Sequence, residues 1–202
     1  TGNTFLVPDD YNTIQSAIDA ANEGDIVLVG PGEYSGYGNR DINFQGKAIT
    51  VRSSHGQFHT TILCEGSAGD PHSGFIFNSG EGHASVVSGF QIRNGYNQFG
   101  GAVLCQDASP VIEDCSFVNN FCTTHGCVIY LNNSNLVVNK CIFDTEGCQR
   151  SAVFADGDSR LCVYNSEFKN GSIAINGYRD STYQIFNCLF YDLESGIRAE
   201  SY

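Results

Sequence analysis

The stretch that decides the fold is VIEDCSF at residues 111–117, which is followed by VVNKCIF at residues 137–143. The pattern recurs as VVSGFQI from residue 86, CVYNSEF from residue 162 and QIFNCLF from residue 184, so successive starts differ by 25, 26, 25 and 22 residues. A repeat of this length with strand-like composition is typical of a solenoid. The sequence therefore predicts a stack of β-coils.

Apolar side chains occupy fixed positions within each repeat, as the two-residue period of a strand requires. One column is Val87, Ile112, Val138, Val163 and Ile185, and a second is Phe90, Cys115, Cys141, Ser166 and Cys188. The third column, which we call the core ladder, is Ile92, Phe117, Phe143, Phe168 and Phe190. Coils stacked about 4.8 Å apart would place each ladder side chain against the next.

The first column lies three residues before the second, so the chain must bend between them. The residues at the bend are Gly89, Asp114, Lys140, Asn165 and Asn187. Gly, Asn and Asp tolerate the left-handed backbone region that a sharp corner needs, whereas Lys does not favour it. We therefore predict a left-handed corner here, with local strain at Lys140.

A further strand precedes each repeat, reading GAVLC from residue 101, CVIYL from 127 and AVFAD from 152. These strands place Val103, Ile129 and Phe154 at equivalent positions. Three strands per coil of about 22–26 residues predict an all-β fold, a right-handed parallel β-helix. The alternative, a two-sheet antiparallel fold, would need alternating hairpin turns.

The N-terminal part differs from the repeats. Residues 13–21, TIQSAIDAA, put Ile14, Ala17 and Ile18 on one helical face, with Thr13 available for the first turn and Gly24 to end the helix. A solenoid end exposes core side chains, so this helix is expected to cap the first coil. We predict one domain over 1–202, with a strand and capping helix in 1–24 and β-coils in 25–202.

Composition excludes several function classes. The chain has 202 residues, 22 acidic and 10 basic side chains and a formal net charge of -12. Such a surface repels phosphates, so no nucleic acid is expected as a partner. No apolar run approaches the roughly 18–20 residues of a membrane span, so no membrane insertion is expected either.

Nine cysteines without a paired CxxC knuckle favour an oxidising compartment over a metal site. Cys122 and Cys148 each lie five residues after a ladder Phe, which predicts a disulfide between adjacent coils. Cys115, Cys141 and Cys188 are expected to pack in the core. The sequons at Asn132 and Asn170 are candidate glycosylation sites, and the expected location is secreted or on the cell surface.

Three phrases carry a family resemblance: FLVPDDYNTIQSAIDAANEGDIVLVGPGEY at residues 5–34, INFQGKAITVRS at 42–53 and GGAVLCQDASPVIEDCSFVNN at 100–120. They resemble the secreted right-handed β-helix repeat proteins of the pectate-lyase-like superfamily, from about Thr4 to the end of the chain. The resemblance implies the fold. It leaves the activity open, because the superfamily includes polysaccharide lyases, glycoside hydrolases, epimerases, phage tail parts, adhesins and surface proteins without a known reaction.

The motifs of the family's enzymes are missing. Polygalacturonase-like hydrolases carry an Asn-Thr-Asp triplet, a paired Asp-Asp and a Gly-His-Gly, whereas this chain has one Asp-Asp pair, Asp9-Asp10, placed for capping. Family enzymes commonly place catalysis near the loops after the third strand. The candidate residues in those loops are His125, Asp144, Glu146, Arg150, Asp192 and Glu194. Their carboxylates could form an acid–base pair or bind calcium, and no other cofactor is expected.

Three functions remain open at this stage. The repeats stop in SGIRAESY without a capping element, which predicts an assembly end around Ile197 and Arg198. The first hypothesis is therefore a non-catalytic extracellular structural protein that stacks head to tail into a fibre. The second is a lyase or hydrolase acting on an acidic polysaccharide, and the third is a glycan-binding adhesin module.

Overall fold

The structure, a computed structural model, describes residues 2–200, with only the backbone of Glu200. The predicted domain, 1–202, thus includes three residues outside this range, Thr1, Ser201 and Tyr202. The described chain is a parallel β-solenoid of about eight turns with one short helix, as the repeats predicted. This helix is not long and apolar enough to cross a membrane.

The elements follow one another as short strands. The N-terminal part contains β1 (Thr4–Val7), α1 (Ile14–Ala20), β2 (Ile26–Val29), β3 (Gly32–Ser35), β4 (Ile42–Asn43), β5 (Thr50–Ser53), β6 (Thr60–Leu63) and β7 (Phe75–Phe77). The middle contains β8 (Val86–Ser88), β9 (Gln91–Arg93), β10 (Tyr96–Phe99), β11 (Val103–Gln106), β12 (Val111–Glu113), β13 (Ser116–Val118), β14 (Phe121–His125) and β15 (Ile129–Asn132). The C-terminal part contains β16 (Asn135–Asn139), β17 (Ile142–Asp144), β18 (Ser151–Asp156), β19 (Arg160–Tyr164), β20 (Glu167–Tyr178), β21 (Thr182–Phe186) and β22 (Leu189–Glu200).

Each coil contributes one strand to each of three parallel faces. The first face is an eight-stranded sheet in the order β1-β2-β5-β8-β12-β16-β19-β21. The second face is β3-β6-β9-β13-β17 and the third is β4-β7-β11-β15-β18, and the long strands β20 and β22 join these two faces into one sheet. A two-stranded sheet, β10-β14, lies between them in the loops. Three strands per coil are therefore confirmed.

The predicted corner between the first and second faces is left-handed in every repeat. The φ angles are 80° at Gly89, 51° at Asp114, 53° at Lys140, 51° at Asn165 and 52° at Asn187. Corner amides also join neighbouring coils, since Asn187 Nδ2 donates to Asn165 Oδ1 at 2.7 Å. Lys140 adopts the same angle without the backbone freedom of Gly or the short polar side chain of Asn.

The core ladder forms as predicted. Register pairs Ile92 with Phe117, Phe117 with Phe143, Phe143 with Phe168, and Phe168 with Phe190. Ring centroids are 4.9, 4.3 and 5.1 Å apart from Phe117 to Phe190. Cys115 and Cys141 are buried beside the ladder, whereas Cys188 is partly exposed.

One predicted equivalence is wrong. Ile129 pairs with Val153, and Phe154 pairs with Tyr130 on the opposite side of the strand. The segment from the ladder residue Phe143 to the inward residue of β18 is shorter than the segment from Phe117 to Ile129. The inward position is therefore Val153, one residue before the predicted Phe154. Phe154 therefore faces outward from the third face and contributes to the candidate site.

The N-terminal helix caps the first coil. Thr13 is its N-cap and forms a capping box with Ser16, while Ile14, Ala17 and Ile18 are buried. The helix ends at Ala20, with Ala21 as an extended C-cap, so Gly24 lies in the following turn and does not end it. The packing of α1 against β1, β2 and β4 closes the core at this end.

Candidate functional site

The candidate site lies on the outer side of the third face, where loops lead into its strands; we call this margin the loop edge. His125 lies at the end of β14 beside β15, and Arg150 immediately precedes β18. Ser172 and Glu194 belong to β20 and β22, where these strands cross from the second face to the third. Successive coils therefore place one functional side chain after another along this edge.

A cleft of about 340 Å³ opens at the C-terminal part of the loop edge. Its wall is His125, Gln149, Arg150, Ser151, Phe154, Ser172, Ile173, Asn176, Glu194 and Arg198. A second hollow of about 420 Å³ shares Gln149, Ser172 and Glu194 with it and adds Gly147, Cys148 and Gly171. The two form a continuous groove, and we refer to them together as the cleft.

Two aromatic side chains, His125 and Phe154, form the floor of the cleft, and Phe99 and Tyr130 pack beside them. The His125 and Phe154 rings stack with centroids 4.1 Å apart, and Phe99 lies 4.7 Å from Tyr130. Tyr130 donates a hydrogen bond to Asp156 Oδ2 at 3.2 Å. Burial, with the nearby Asp156 charge, raises the pKa of Tyr130 to about 12, so this phenol stays neutral.

The charges in the cleft are mainly positive although the protein is acidic. Arg150 and Arg198 are exposed, and neither lies within 4.0 Å of a carboxylate in the described side chains. Glu194 accepts a hydrogen bond from Ser172 Oγ at 2.8 Å. The cleft thus offers two guanidinium groups, one carboxylate and hydroxyl and amide groups to a ligand.

The structure brings together only some of the predicted site residues. His125, Arg150 and Glu194 line the cleft, and so does Arg198, which was predicted for the assembly end. Ile197 belongs instead to the inward column that pairs with Ile175, and it is 49% exposed because β22 is the last described strand.

Asp144 lies outside the cleft, on the second face. Its Oδ2 is 4.0 Å from Lys169 Nζ, and its Oδ1 accepts a hydrogen bond from Asn170 Nδ2 at 3.1 Å. The predicted glycosylation residue Asn170 is therefore tied to this carboxylate. Lys169 also lies 3.4 Å from Glu167, whose pKa is lowered by a hydrogen bond from Tyr191 and by Lys169.

The other two predicted carboxylates, Asp192 and Glu146, lie outside the cleft. Asp192 has φ 53° and aligns with Asn170, so it is a left-handed corner residue between the second and third faces. Glu146 is exposed beside Gly147 and lines neither hollow. Asn132, the other candidate for glycosylation, lies on the outer side of β15 next to the left-handed Asn133.

The predicted disulfide between Cys122 and Cys148 is wrong. Cys148 is bonded to Cys127, and Cys122 is a free thiol whose Sγ lies 3.7 Å from Cys127 Sγ. The pairing differs because β14 ends at His125 and the left-handed backbone of Gly126 then turns the chain, so that Cys127 reaches the same place as Cys122. Three cysteines therefore meet behind the cleft.

Sequence reasoning missed a second polar cluster, at the N-terminal part of the loop edge. His72 Nδ1 lies 2.5 Å from Asp41 Oδ2, and His72 Nε2 lies 3.2 Å from Asp70 Oδ2. The cluster borders a cavity of about 220 Å³ beside Tyr37, which is 99% exposed. Its residues come from separate segments, so no local sequence pattern marked it; Asp41 has a left-handed backbone, with φ 52°, and precedes β4.

This second cluster is internally bonded. Arg40 Nη1 lies 3.1 Å from Glu65 Oε2, and Asp41 Oδ1 accepts from the Ser73 backbone N–H at 2.8 Å. Because its charges pair with one another, the cluster offers fewer groups to a ligand than the cleft does. Within residues 2–200 no group of three or more His, Cys, Asp or Glu side chains is arranged to hold a metal ion.

Comparisons with known proteins identify the fold. No protein-family model matches the chain, and no curated protein matches its sequence. Two crystal structures of pectin methylesterase from Aspergillus niger, one deglycosylated and one retaining an N-acetylglucosamine stub, both have a TM-score of 0.58. They are 16% and 15% identical to this chain, and each comparison covers 99% of this chain and 67% of the esterase. The chain therefore has the right-handed parallel β-helix fold of the pectate-lyase-like type.

Proposed function

We propose that this protein binds an acidic polysaccharide in the cleft. The observation that carries the proposal is the pair Arg150 and Arg198, two exposed guanidinium groups without an ion pair among the described side chains, in a protein of net charge -12. Guanidinium groups bind carboxylates through two parallel hydrogen bonds. An acidic sugar would supply carboxylates to the two guanidinium groups, neither of which pairs with the one carboxylate in the cleft, Glu194.

The remaining cleft residues suit a sugar ring. Phe154 and His125 provide an aromatic floor, while Gln149 and Ser172 provide hydrogen-bonding groups at the rim. Because coils are stacked about 4.8 Å apart, an extended polysaccharide lying along the axis of the solenoid would contact one coil after another along its length.

The structural neighbours and the disulfide support this proposal. The structural neighbours are pectin methylesterases, so pectin provides the first probe. The Cys127–Cys148 disulfide favours an oxidising compartment, and we include secretion or cell-surface display in the proposal. The proposal is for binding, and cleavage of the bound chain is a separate outcome that the same samples can reveal.

The test is titration calorimetry with polygalacturonate oligomers, with neutral dextran and highly esterified pectin as comparison ligands. We expect binding of polygalacturonate that weakens as salt is added, and at least tenfold weaker binding of dextran. Arg150→Gln and Arg198→Gln should each weaken binding about tenfold, equivalent to about 1.4 kcal/mol. New reducing ends or ultraviolet-absorbing unsaturated products would add catalysis to binding.

Arg160→Gln is the matched control. Arg160 lies on the first face, in a different hollow with His83 and Tyr164, and the substitution removes the same charge. Affinity should be unchanged in this variant. Equal loss in Arg150→Gln and Arg160→Gln would show that net charge alone is responsible, and absence of polygalacturonate binding at low salt would contradict the proposal.

End-to-end assembly is a second candidate, favoured by one observation. Phe186, Leu189 and Ile197 are 57, 57 and 49% exposed, so three large apolar side chains gather on the last described coil. A second copy that adds its strands to β22 would cover them. Sedimentation velocity over a hundredfold concentration range tests this, with Leu189→Lys as the variant expected to stay monomeric; a wild-type monomer throughout would exclude it.

A further inference from the structure

The cysteines behind the cleft form a reactive arrangement independent of glycan binding. Cys127 and Cys148 form a disulfide, and the free Cys122 Sγ lies 3.7 Å from Cys127 Sγ. Exchange begins when a thiolate attacks one sulfur of a disulfide. Cys122 lies at contact distance from the sulfur that it would attack.

The Arg150 segment contacts both sulfurs that such an exchange needs. Burial raises the pKa of Cys122 to about 11, and the Arg150 charge and a backbone hydrogen bond from Thr124 offset part of this rise. At the other end, the Arg150 backbone N–H donates to Cys148 Sγ at 3.3 Å. The Arg150 segment thus supports the attacking sulfur with its charge and the leaving sulfur with its amide.

We propose that Cys122, Cys127 and Cys148 form a thiol–disulfide exchange site. The Cys122 thiol first gives its proton to water; its thiolate then attacks Cys127 Sγ, a Cys122–Cys127 bond forms, and the Cys127–Cys148 bond breaks. The electron pair leaves on Cys148, whose thiolate then takes a proton from water. One thiol and one disulfide are present before and after the step, so no oxidant or reductant is consumed.

The exchange has a structural consequence for the cleft. The Cys127–Cys148 bond ties the segment before β18 to the beginning of β15. This segment carries Gln149 and Arg150, which line the cleft. In the exchanged form the bridge lies between Cys122 and Cys127 of a single coil, and the Arg150 segment loses its covalent attachment.

Peptide mapping of the native protein tests the proposal. Wild-type protein is held between pH 7 and pH 10 with iodoacetamide, quenched in acid, digested with pepsin and analysed by mass spectrometry. We expect a species with a Cys122–Cys127 bridge and alkylated Cys148, which accumulates faster as pH rises toward the pKa of Cys122. If Cys122 alone is alkylated, with the Cys127–Cys148 bond retained at every pH, the proposal is overturned.

Two variants separate exchange from simple opening of the disulfide. Cys122→Ser should lower alkylation of Cys148 at least tenfold, whereas Cys188→Ser, which removes a partly exposed free thiol on the last coil, should leave it unchanged. Unchanged Cys148 alkylation in Cys122→Ser would also overturn the proposal. In Cys148→Ser, diamide should produce the Cys122–Cys127 bridge, and failure to do so in the folded variant would show that this product cannot form.

Discussion

The core ladder places an apolar side chain at the equivalent position of every repeat, whereas the cleft carries a different polar side chain, Arg150, Ser172 or Glu194, at the equivalent position of each coil. Phe117, Phe143 and Phe168 occupy equivalent places because each coil has the same path from the left-handed corner into the second face. Arg150 follows the ladder residue Phe143 by seven positions, whereas Ser172 and Glu194 each follow their ladder Phe by four. The three residues are nevertheless aligned between coils, so the cleft keeps the position and changes the side chain.

The difference between ladder and cleft separates stability from function. Identical side chains stacked coil upon coil bury apolar area without a change of register, so the repeat provides the stability. Where a coil departs from the repeat, polar and charged side chains appear at the loop edge. We therefore expect substitutions in the ladder to affect folding and substitutions at the loop edge to affect binding.

The largest effect should come from the middle of the ladder. Phe143 is fully buried between Phe117 and Phe168, so Phe143→Ala removes contacts on both sides. We expect a loss of about 3–5 kcal/mol in the free energy of unfolding, measured by urea denaturation. Phe143→Leu should lose less than half as much, and equal losses in the two variants would contradict the stacking explanation.

The parts of the fold that repetition determines could be predicted from sequence. The corner was readable because Gly, Asp and Asn recur at one position, and the ladder because Phe recurs three residues later. Phe154 was misplaced because it lies after a loop, where the repeat no longer fixes the register. The disulfide was assigned to Cys122 instead of Cys127 for the same reason, since Gly126 turns the chain between these two residues.

The candidate site was predictable only in part. His125, Arg150 and Glu194 were predictable because they are titratable residues in the segments that follow the ladder residues. Asp192 shares this loop region but owes its identity to a left-handed backbone. The pairing of Asp41 with His72 joins residues 31 positions apart, and no local pattern marks such a contact.

A smaller effect tests the strain at the corner. Lys140 has φ 53° and an exposed side chain, so Lys140→Asn changes the backbone preference with little loss of packing. We expect the free energy of unfolding to rise by about 1 kcal/mol. Lys140→Ala removes the same charge but keeps the strain, so it should not be stabilised; equal stability of the Asn and Ala variants would exclude strain as the cause.

Tyr130, beneath the cleft, should make a pH-dependent contribution of similar size to the free energy of unfolding. Burial raises the pKa of Tyr130, so the folded state holds this proton more tightly than the unfolded state does. The stabilisation is fully present below the unfolded pKa near 10 and is lost as pH rises through about 12. Tyr130→Phe also loses the hydrogen bond to Asp156, which contributes about 1 kcal/mol.

We therefore expect Tyr130→Phe to be less stable than the parent protein at pH 8 and the two stabilities to converge between pH 10 and pH 12. Urea unfolding midpoints measure this, in a Cys122→Ser background so that thiol exchange does not contribute. A stability difference that stays constant up to pH 12 would contradict the pKa direction.

The smallest expected effect concerns two neighbouring carboxylates, one at a left-handed corner of the repeat and one in the cleft. Asp192 is a corner residue and Glu194 lines the cleft, although only one residue separates them. Asn adopts the left-handed region as readily as Asp, so Asp192→Asn should change neither stability nor glycan binding measurably.

Glu194→Gln keeps an acceptor for Ser172 but removes a charge that repels an acidic sugar, worth about 0.5 kcal/mol. Affinity for polygalacturonate should therefore rise roughly twofold in Glu194→Gln alone. A loss of binding in this variant would instead identify Glu194 as a direct ligand contact, and an equal rise in both variants would mean that net charge, and not position in the coil, controls the cleft.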